Sequence, residues 1–356
     1  MIERIREKVF SGERLSAEDA LYLFETDDIF SLGRLASYAA GKKNGDKAYF
    51  VVNRHINPTN ICINRCRFCA FSRSKGEAGA FELTIKDILG RLRMARPGNG
   101  TRFSEVHIVG GLHPDWPFDH YLRMISAVKK EFPDIHIKAF TAVEIDHFSR
   151  ISGLSVRAVL ERLRKSGLEA MPGGGAEIFA ERVRKRLCPE KISGKRWLEI
   201  HRIAHLSGIA TNATMLYGHI EQYRERVDHF LRLRELQDET GGFQAFIPLA
   251  YHPQNTDMGG GYTSGIDDLK TIAVSRLVLD NIPHIKAYWI MLGEKIAQLS
   301  LLFGADDLDG TIIEEKITHA AGATSSEGMT RRELVNLIER AGKRAVERDA
   351  FYRAVN

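Results

Sequence analysis

Cysteine is scarce, with four in 356 residues. A secreted disulfide framework would spread its cysteines, whereas three of these fall within eight residues, a clustering that points to metal in a cytosolic protein. Long hydrophobic runs are missing too. Stretches such as Ile296 to Phe303 are far short of the roughly 20 residues a membrane span needs. The opening MIERIREKVFSGERLS reads as a charged helix and not as a basic region followed by an apolar stretch, so a cytoplasmic, soluble protein without a targeting segment is expected. Charge of one sign is also absent. Lys and Arg number 51 against 46 Asp and Glu, a formal charge of +5 spread along the chain. The basic runs at Arg182 to Arg186 and Arg331–Arg332 sit in helical patterns with acids nearby, which reads as solvated helix faces in preference to a nucleic-acid patch, so no nucleic-acid partner is expected. The mild excess suits a small anionic substrate.

No Pro/Gly/Ser-rich linker divides the chain. With 44% apolar and 27% charged residues, a chain this long typically buries roughly three quarters of its unfolded surface in folding. Strand patterns are predicted at 49–57, 104–111, 135–141, 168–171, 209–216, 243–249, 284–290 and 305–309. Helical patterns follow them at 84–95, 118–131, 155–166, 177–186, 195–206, 221–239, 267–280, 293–303 and 330–345. Thr84 is placed to cap the first of these and Pro97 lies beyond its end. About eight strand–helix units in one run predict an α/β fold, a (β/α)8 TIM-type barrel over 46–310. Helices at 3–10, 16–24 and 30–41 form an N-terminal extension, 1–45, and residues 311–356 a C-terminal extension packed on the barrel. The stretch MGGGYTSG (258–265) is read as a mobile loop.

The cysteines lie in NPTNICINRCRFCAFSR, with three residues between Cys62 and Cys66 and two between Cys66 and Cys69. A [4Fe–4S] cube usually takes four thiolates. Three ligands in one loop leave one iron open to bind and activate a substrate. Structural zinc, the alternative, prefers closed tetrahedral sites built from paired ligands, and no second pair is present. His55 lies upstream in the strand, and Cys188 stands alone, as expected of a small buried structural residue. In a barrel the chemistry lies at the C-terminal ends of the strands, so the residues there are candidates. Gly110–Gly111 ends the second strand, either as an ordinary turn or so that backbone can approach a ligand. Glu144 and Glu177 could hold ribose hydroxyls or an ammonium group, or start helices favoured by the dipole. His113, His219 and His252 follow strands two, five and six as candidates for proton transfer or carboxylate binding. Arg73 could grip a carboxylate with two hydrogen bonds.

The C-x3-C-x2-C spacing, with Phe68 just before the last cysteine, resembles the radical S-adenosylmethionine enzymes. That resemblance implies a [4Fe–4S] cluster on Cys62, Cys66 and Cys69, whose open iron is chelated by the methionine amino and carboxylate groups. It implies an electron donor such as flavodoxin or ferredoxin, and cleavage to methionine and a 5′-deoxyadenosyl radical. It also carries contact with the methionine amino group to Gly110–Gly111, and Phe68, Glu144 and Glu177 stand beside them as candidates for S-adenosylmethionine binding. Beyond residue 45 the segments HIVGGLHPDWPF, KAFTAVEIDHFSRISGLS, MPGGGAEIF, TNATMLYGHIE, GGFQAFIPLAYHP, PHIKAYWIMLG and GADDLDGT are similar to the aminofutalosine synthase family of the futalosine route to menaquinone. The implied reaction is radical addition to 3-[(1-carboxyvinyl)oxy]benzoate, an aromatic dicarboxylate that gives Arg73 and the rim histidines something to hold. Two alternatives stay open. One is a hydrogen-abstracting paralogue, such as the spiro-forming cyclase or the deazaflavin-forming synthase. The other is a non-catalytic iron–sulfur or zinc-binding protein.

Overall fold

The computed structural model describes residues 1–94, 103–312, 315–326 and 328–355. Strands are numbered in chain order: β1 (Lys47–Val51), β2 (Asn53–Ile56), β3 (Glu105–Ile108), β4 (His136–Ala139), β5 (Ala170–Met171), β6 (Ala210–Tyr217), β7 (Phe243–Ala250), β8 (His284–Ile285), β9 (Asp307–Gly310) and β10 (Arg344–Glu347). Seven of them, β2 to β8, pair in parallel in the order of the sequence. The sheet curls with helices outside it, as expected of a TIM-type α/β barrel. Connections between parallel neighbours need a crossover, and the helices between successive strands provide it.

Side chains alternate between the two faces of each strand. Outward residues such as Val106, Ile108, Ile137, Met215 and Phe246 are buried in the hydrophobic core. Inward residues are more polar: Glu105 and His107 on β3, Lys138 on β4, and Asn212 and Thr214 on β6 line the interior.

The expected strand 49–57 is broken into two at Val52. β1 joins a second sheet in the order β10-β1-β9, while β2 opens the seven-stranded one. Asn53 makes the joint. Its backbone N–H donates to Thr311 Oγ1 at 3.1 Å, and its side-chain oxygen accepts the Ile312 N–H at 3.0 Å. A parallel bridge between Lys286 and Asp307 brings β8 beside β9, so the second sheet continues the wall of the first.

Three further differences from the sequence expectation have local causes. Ala142–Ser152 is a helix, where the sequence pattern suggested only a connection. Thr141 and Glu144 cap it reciprocally, satisfying two of its free N–H groups. The last helix stops at Arg340, and Arg344–Glu347 instead pairs with β1. The strand expected through Ile290 gives way to a short helix at Trp289–Leu292, anchored by Trp289 Nε1 donating to the Gly310 carbonyl at 2.9 Å. Thr84 does cap the helix Ile85–Met94 through a 3.1 Å bond from the Asp87 N–H. Pro97 lies outside the described residues.

The N-terminal helix Ile29–Asn44 packs on helix Gly265–Val278, and Ala17–Glu25 packs on Tyr223–Thr240. At the other end of the chain Arg348 is fully buried, donating to Asp307 at 2.7 Å. None of the described helices is long and apolar enough to cross a membrane.

Candidate active site

The cysteine loop leaves β2 at the C-terminal rim and is tied down by its own polar residues. Asn60 donates to the Gly79 carbonyl at 2.9 Å and accepts the Phe81 N–H at 2.8 Å. The Cys62 N–H reaches the Arg73 carbonyl at 3.0 Å, and the Arg73 N–H returns to Asn60 at 2.9 Å. Within this ribbon Cys69 N–H donates to the Cys66 carbonyl at 3.0 Å, turning the chain between the two thiols. Cys62, Cys66 and Cys69 are free of disulfides and line one cavity of about 330 Å³ that runs into the barrel. Among the described residues, no three His, Cys, Asp or Glu side chains gather as a single metal ion would require.

The end of β3 is the opposite wall. A Cβ at Gly111 would lie 2.7 Å from the Ile61 carbonyl carbon, and one at Gly110 would lie 3.0 Å from the Thr59 oxygen. Only glycine lets this strand end meet the cysteine loop so closely. Gly111 N–H donates to the Thr59 carbonyl at 2.9 Å, and Ile63 N–H to the Leu112 carbonyl at 3.0 Å. The thiols are thereby set against backbone on two sides.

These surroundings suit an iron–sulfur cluster. Burial pushes the Cys66 thiol up to about 12 and the Cys62 thiol upward as well, although backbone N–H groups of Leu112 and Asn64 favour the Cys62 thiolate. The half-buried Lys191 offers the compensating charge. Burial opposes its ammonium form, but Cys66 and Glu177 together hold it above its ordinary value. Lys191 donates to Glu177 at 2.5 Å and lies 5.0 Å over the Phe68 ring. A thiolate set beside an ammonium and backbone donors in a closed pocket can take up iron, and hydrogen bonds to sulfur tune the resulting centre.

Two carboxylates flank the mouth. Glu144 is buried, accepting the Gly110 N–H at 3.1 Å and the Thr141 N–H at 2.7 Å. Burial dominates and raises its carboxyl to about 7, against those hydrogen bonds. Glu177 has φ of 48°, a left-handed backbone costly for a side chain of this kind. The Leu216 N–H to Glu177 carbonyl bond at 2.8 Å and the Lys191 contact hold it there.

The remaining candidates separate. His252 lines the cavity, its Nε2 at 3.0 Å from the Met291 carbonyl. His113 is buried elsewhere, stacked on Trp116 at 4.4 Å and 3.1 Å from Glu82. His219 turns back on its own loop, meeting the Leu216 carbonyl at 3.1 Å and Glu221 at 2.8 Å. Arg73 donates to the Ala70 and Ser72 carbonyls at 2.9 and 2.8 Å and lines a neighbouring cavity with Lys316 and His319. Cys188 is buried close behind the loop, where the Arg67 N–H reaches the Leu187 carbonyl at 2.8 Å. Sequence reasoning missed Lys191 and the inward Lys138 and Lys286. A lysine inside a strand that should be buried on both faces was the available signal for the latter two.

A parallel α/β barrel with three thiols at the mouth of a cavity that runs into it is the framework of an enzyme that does its chemistry at the rim. The chain belongs to the radical SAM superfamily, whose model matches residues 56–233, and a CofH/MqnC C-terminal region matches 240–355. Proteins of this superfamily use a [4Fe–4S] cluster and S-adenosylmethionine, and this chain is a radical enzyme of that kind. It is 50% identical to the aminodeoxyfutalosine synthase of Thermus thermophilus over 99% of this chain and 95% of that one. Identity to the Streptomyces coelicolor aminodeoxyfutalosine synthase is 47%, over 98% and 92% of the two chains. The 5-amino-6-(D-ribitylamino)uracil–L-tyrosine 4-hydroxyphenyl transferase 1 of Methanosarcina acetivorans is 43% identical, over 99% and 94%. Among solved structures, methylornithine synthase shares the fold with a TM-score of 0.75 at 19% identity, covering 96% of this chain and 97% of the other. The hydrogenase maturase HydG from Carboxydothermus hydrogenoformans does so at 0.76 and 18%, covering 99% and 80%.

Proposed function

We propose that the protein is an aminodeoxyfutalosine synthase. In this reading it joins the adenosyl group of S-adenosylmethionine to the enol-ether double bond of 3-[(1-carboxyvinyl)oxy]benzoate. Rearrangement onto the ring and loss of the carboxyl carbon as CO₂ or bicarbonate then give 6-amino-6-deoxyfutalosine, with methionine released. The observation that carries the reading is the likeness to two such synthases over almost the whole chain.

Cys62, Cys66 and Cys69 would hold the cluster, which when bound supplies the electron that splits the sulfonium. The chain's own residues position and enclose the reactants. Gly110 and Gly111 keep the wall beside the thiols free of side chains, and Phe68 closes it from the loop side. Glu144 and Glu177 present carboxylate oxygens to the ammonium and ribose groups of S-adenosylmethionine. His252 is the one of the four polar rim candidates that meets the substrate, while Arg73, His113 and His219 brace the surrounding loops. A reactive primary carbon must meet only its intended partner, so an ordered and closed site comes before the chemistry. A flavodoxin or ferredoxin is the proposed electron donor.

The second reading, a hydrogen-abstracting paralogue, is favoured by the 43% identity to the tyrosine-dependent transferase. Anaerobic incubation of reconstituted, reduced protein with S-adenosylmethionine and the benzoate, read by mass spectrometry, separates the two. Addition leaves the adenosyl group inside the product, with aminodeoxyfutalosine and methionine in equal amounts. Abstraction leaves free 5′-deoxyadenosine and removes the synthase reading.

A further inference from the structure

The cavity has a floor that nothing above employs. His55 on β2 and His107 on β3 are direct cross-strand partners. Both project inward, with ring centroids 4.6 Å apart and planes 72° to one another. The Nε2 of each ring is buried without a hydrogen-bond partner, and so is Oδ1 of Asn212 on β6. Two closed ion pairs flank them: Lys138 with Glu105 at 2.7 Å and Lys286 with Asp309 at 3.0 Å. Each ammonium carries three donors and makes one of these bonds. Buried polar groups are rarely left unpaired, and here three orphans share one cavity.

The floor is matched to the mouth in distance and surface. His107 lies three residues before Gly110, about 10 Å down the strand at the usual rise. Between the two levels Val109, Leu216, Ile247 and Leu249 present an apolar belt. Such a slot takes a planar ring with a polar group at its inner end.

Resting on the reading above, we propose that His55 and His107 seat the ring carboxylate of the aromatic substrate, leaving its enol-ether end toward the cysteine loop. The two imidazoles meet edge to face on the wall of one cavity, and a planar group with two oxygens can accept from both. Burial lowers both rings below the ordinary histidine value, His107 to about 3. They are therefore neutral, and each can donate from Nε2 while the lysines stay paired with their acids. The lysine–acid pairs carry no net charge, so recognition falls to directed hydrogen bonds, and a carboxamide at the same position fits less well because its N–H₂ meets a donor.

The test uses reconstituted holoenzyme and two probes, 3-ethoxybenzoate and 3-ethoxybenzamide, whose binding is measured by calorimetry. Wild type is expected to prefer the acid. His55→Phe and His107→Phe should each weaken acid binding by about tenfold, with amide binding, iron content and substrate-free S-adenosylmethionine cleavage unchanged. His55→Gln and His107→Asn, which keep a side-chain N–H, should restore part of the preference. If a Phe variant loses its iron, the Gln and Asn variants decide the matter through the acid-to-amide ratio. Equal binding of the two probes by wild type, unchanged acid binding in the variants, or equal losses for both probes would overturn the seat and leave those nitrogens to water. Product analysis keeps the two claims apart. A wild type that makes aminodeoxyfutalosine with indifferent histidines loses only the seat. A wild type that makes none, yet selects the acid through these histidines, keeps the seat and loses the synthase reading.

Discussion

Replacing Gly111 by Ala adds one carbon and two hydrogens at the tightest point of the site. The new Cβ would lie 2.7 Å from the Ile61 carbonyl carbon and nearer still to its oxygen. Ordinary carbon contacts need about 3.5 Å, so strand end and cysteine loop must part by roughly 1 Å. The obstacle is backbone one residue before Cys62, which has no rotamer to yield. The loop is also fastened by the Gly111–Thr59, Ile63–Leu112 and Cys62–Arg73 hydrogen bonds, and separation lengthens at least the first two. Overpacking of this kind costs about 1–3 kcal/mol. Gly41 and Gly90 provide the controls, since each lies within a helix and a Cβ there meets nothing within 4 Å. Alanine at those positions should stabilise the fold by about 0.5–1 kcal/mol through helix propensity. The same chemical change is thus expected with opposite signs. Urea unfolding gives the stability, and iron and sulfide content after anaerobic reconstitution gives the state of the loop. Gly111→Ala should unfold earlier and hold less iron, while the two controls keep wild-type iron. A Gly111→Ala protein with full iron content and wild-type stability would refute the argument that close backbone approach is why glycine stands there.

Cys66→Ala should abolish S-adenosylmethionine cleavage and most bound iron, and cleavage at the wild-type rate would remove Cys66 from the ligand set. Glu144 is raised by burial from 4.5 to about 7, so the folded chain holds this proton more tightly than the unfolded one. Ionising it works against the fold, and stability should fall as pH rises from about 4.5 to 7, by at most about 3 kcal/mol. Glu144→Gln does not titrate, and in urea unfolding of cluster-free protein at pH 5 and pH 7.5 the variant should show the smaller decline; parallel behaviour would contradict the burial argument. Arg348→Met leaves Asp307 buried without its partner, both side chains being fully enclosed, and should cost about 3–5 kcal/mol. Adding Asp307→Asn should recover part of that loss in chemical denaturation, and additive losses would show that the pair is not coupled.

Much of the molecule is legible in one dimension. Alternating strand and helix patterns identify the barrel because inward–outward periodicity and helical periodicity are local properties of neighbouring residues. The three-thiol loop is legible for the same reason, since its ligands lie within eight residues and their spacing survives any packing of the rest. What was missed depends on distant partners. Val52 divides one apparent strand between two sheets because β10, almost 300 residues later, supplies an edge for β1. Arg344–Glu347 has a helix-compatible pattern, and only that edge makes it a strand.

The histidines show the same limit at the site. His113, His219 and His252 all follow barrel strands, and their position after a strand does not tell them apart. The Trp116 stack takes His113 aside and Glu221 holds His219 in its own loop, so that His252 alone of the three lines the cavity. His55 and His107, far apart in sequence, become neighbours because β2 and β3 pair in a register that sets them opposite one another. By itself, then, the sequence determined the barrel class and the cysteine loop, since both rest on short-range patterns, and the loop's resemblance to a known family pointed to the radical chemistry. The tertiary structure alone decided which polar side chains share the cavity, because strand register and side-chain packing set where each one points.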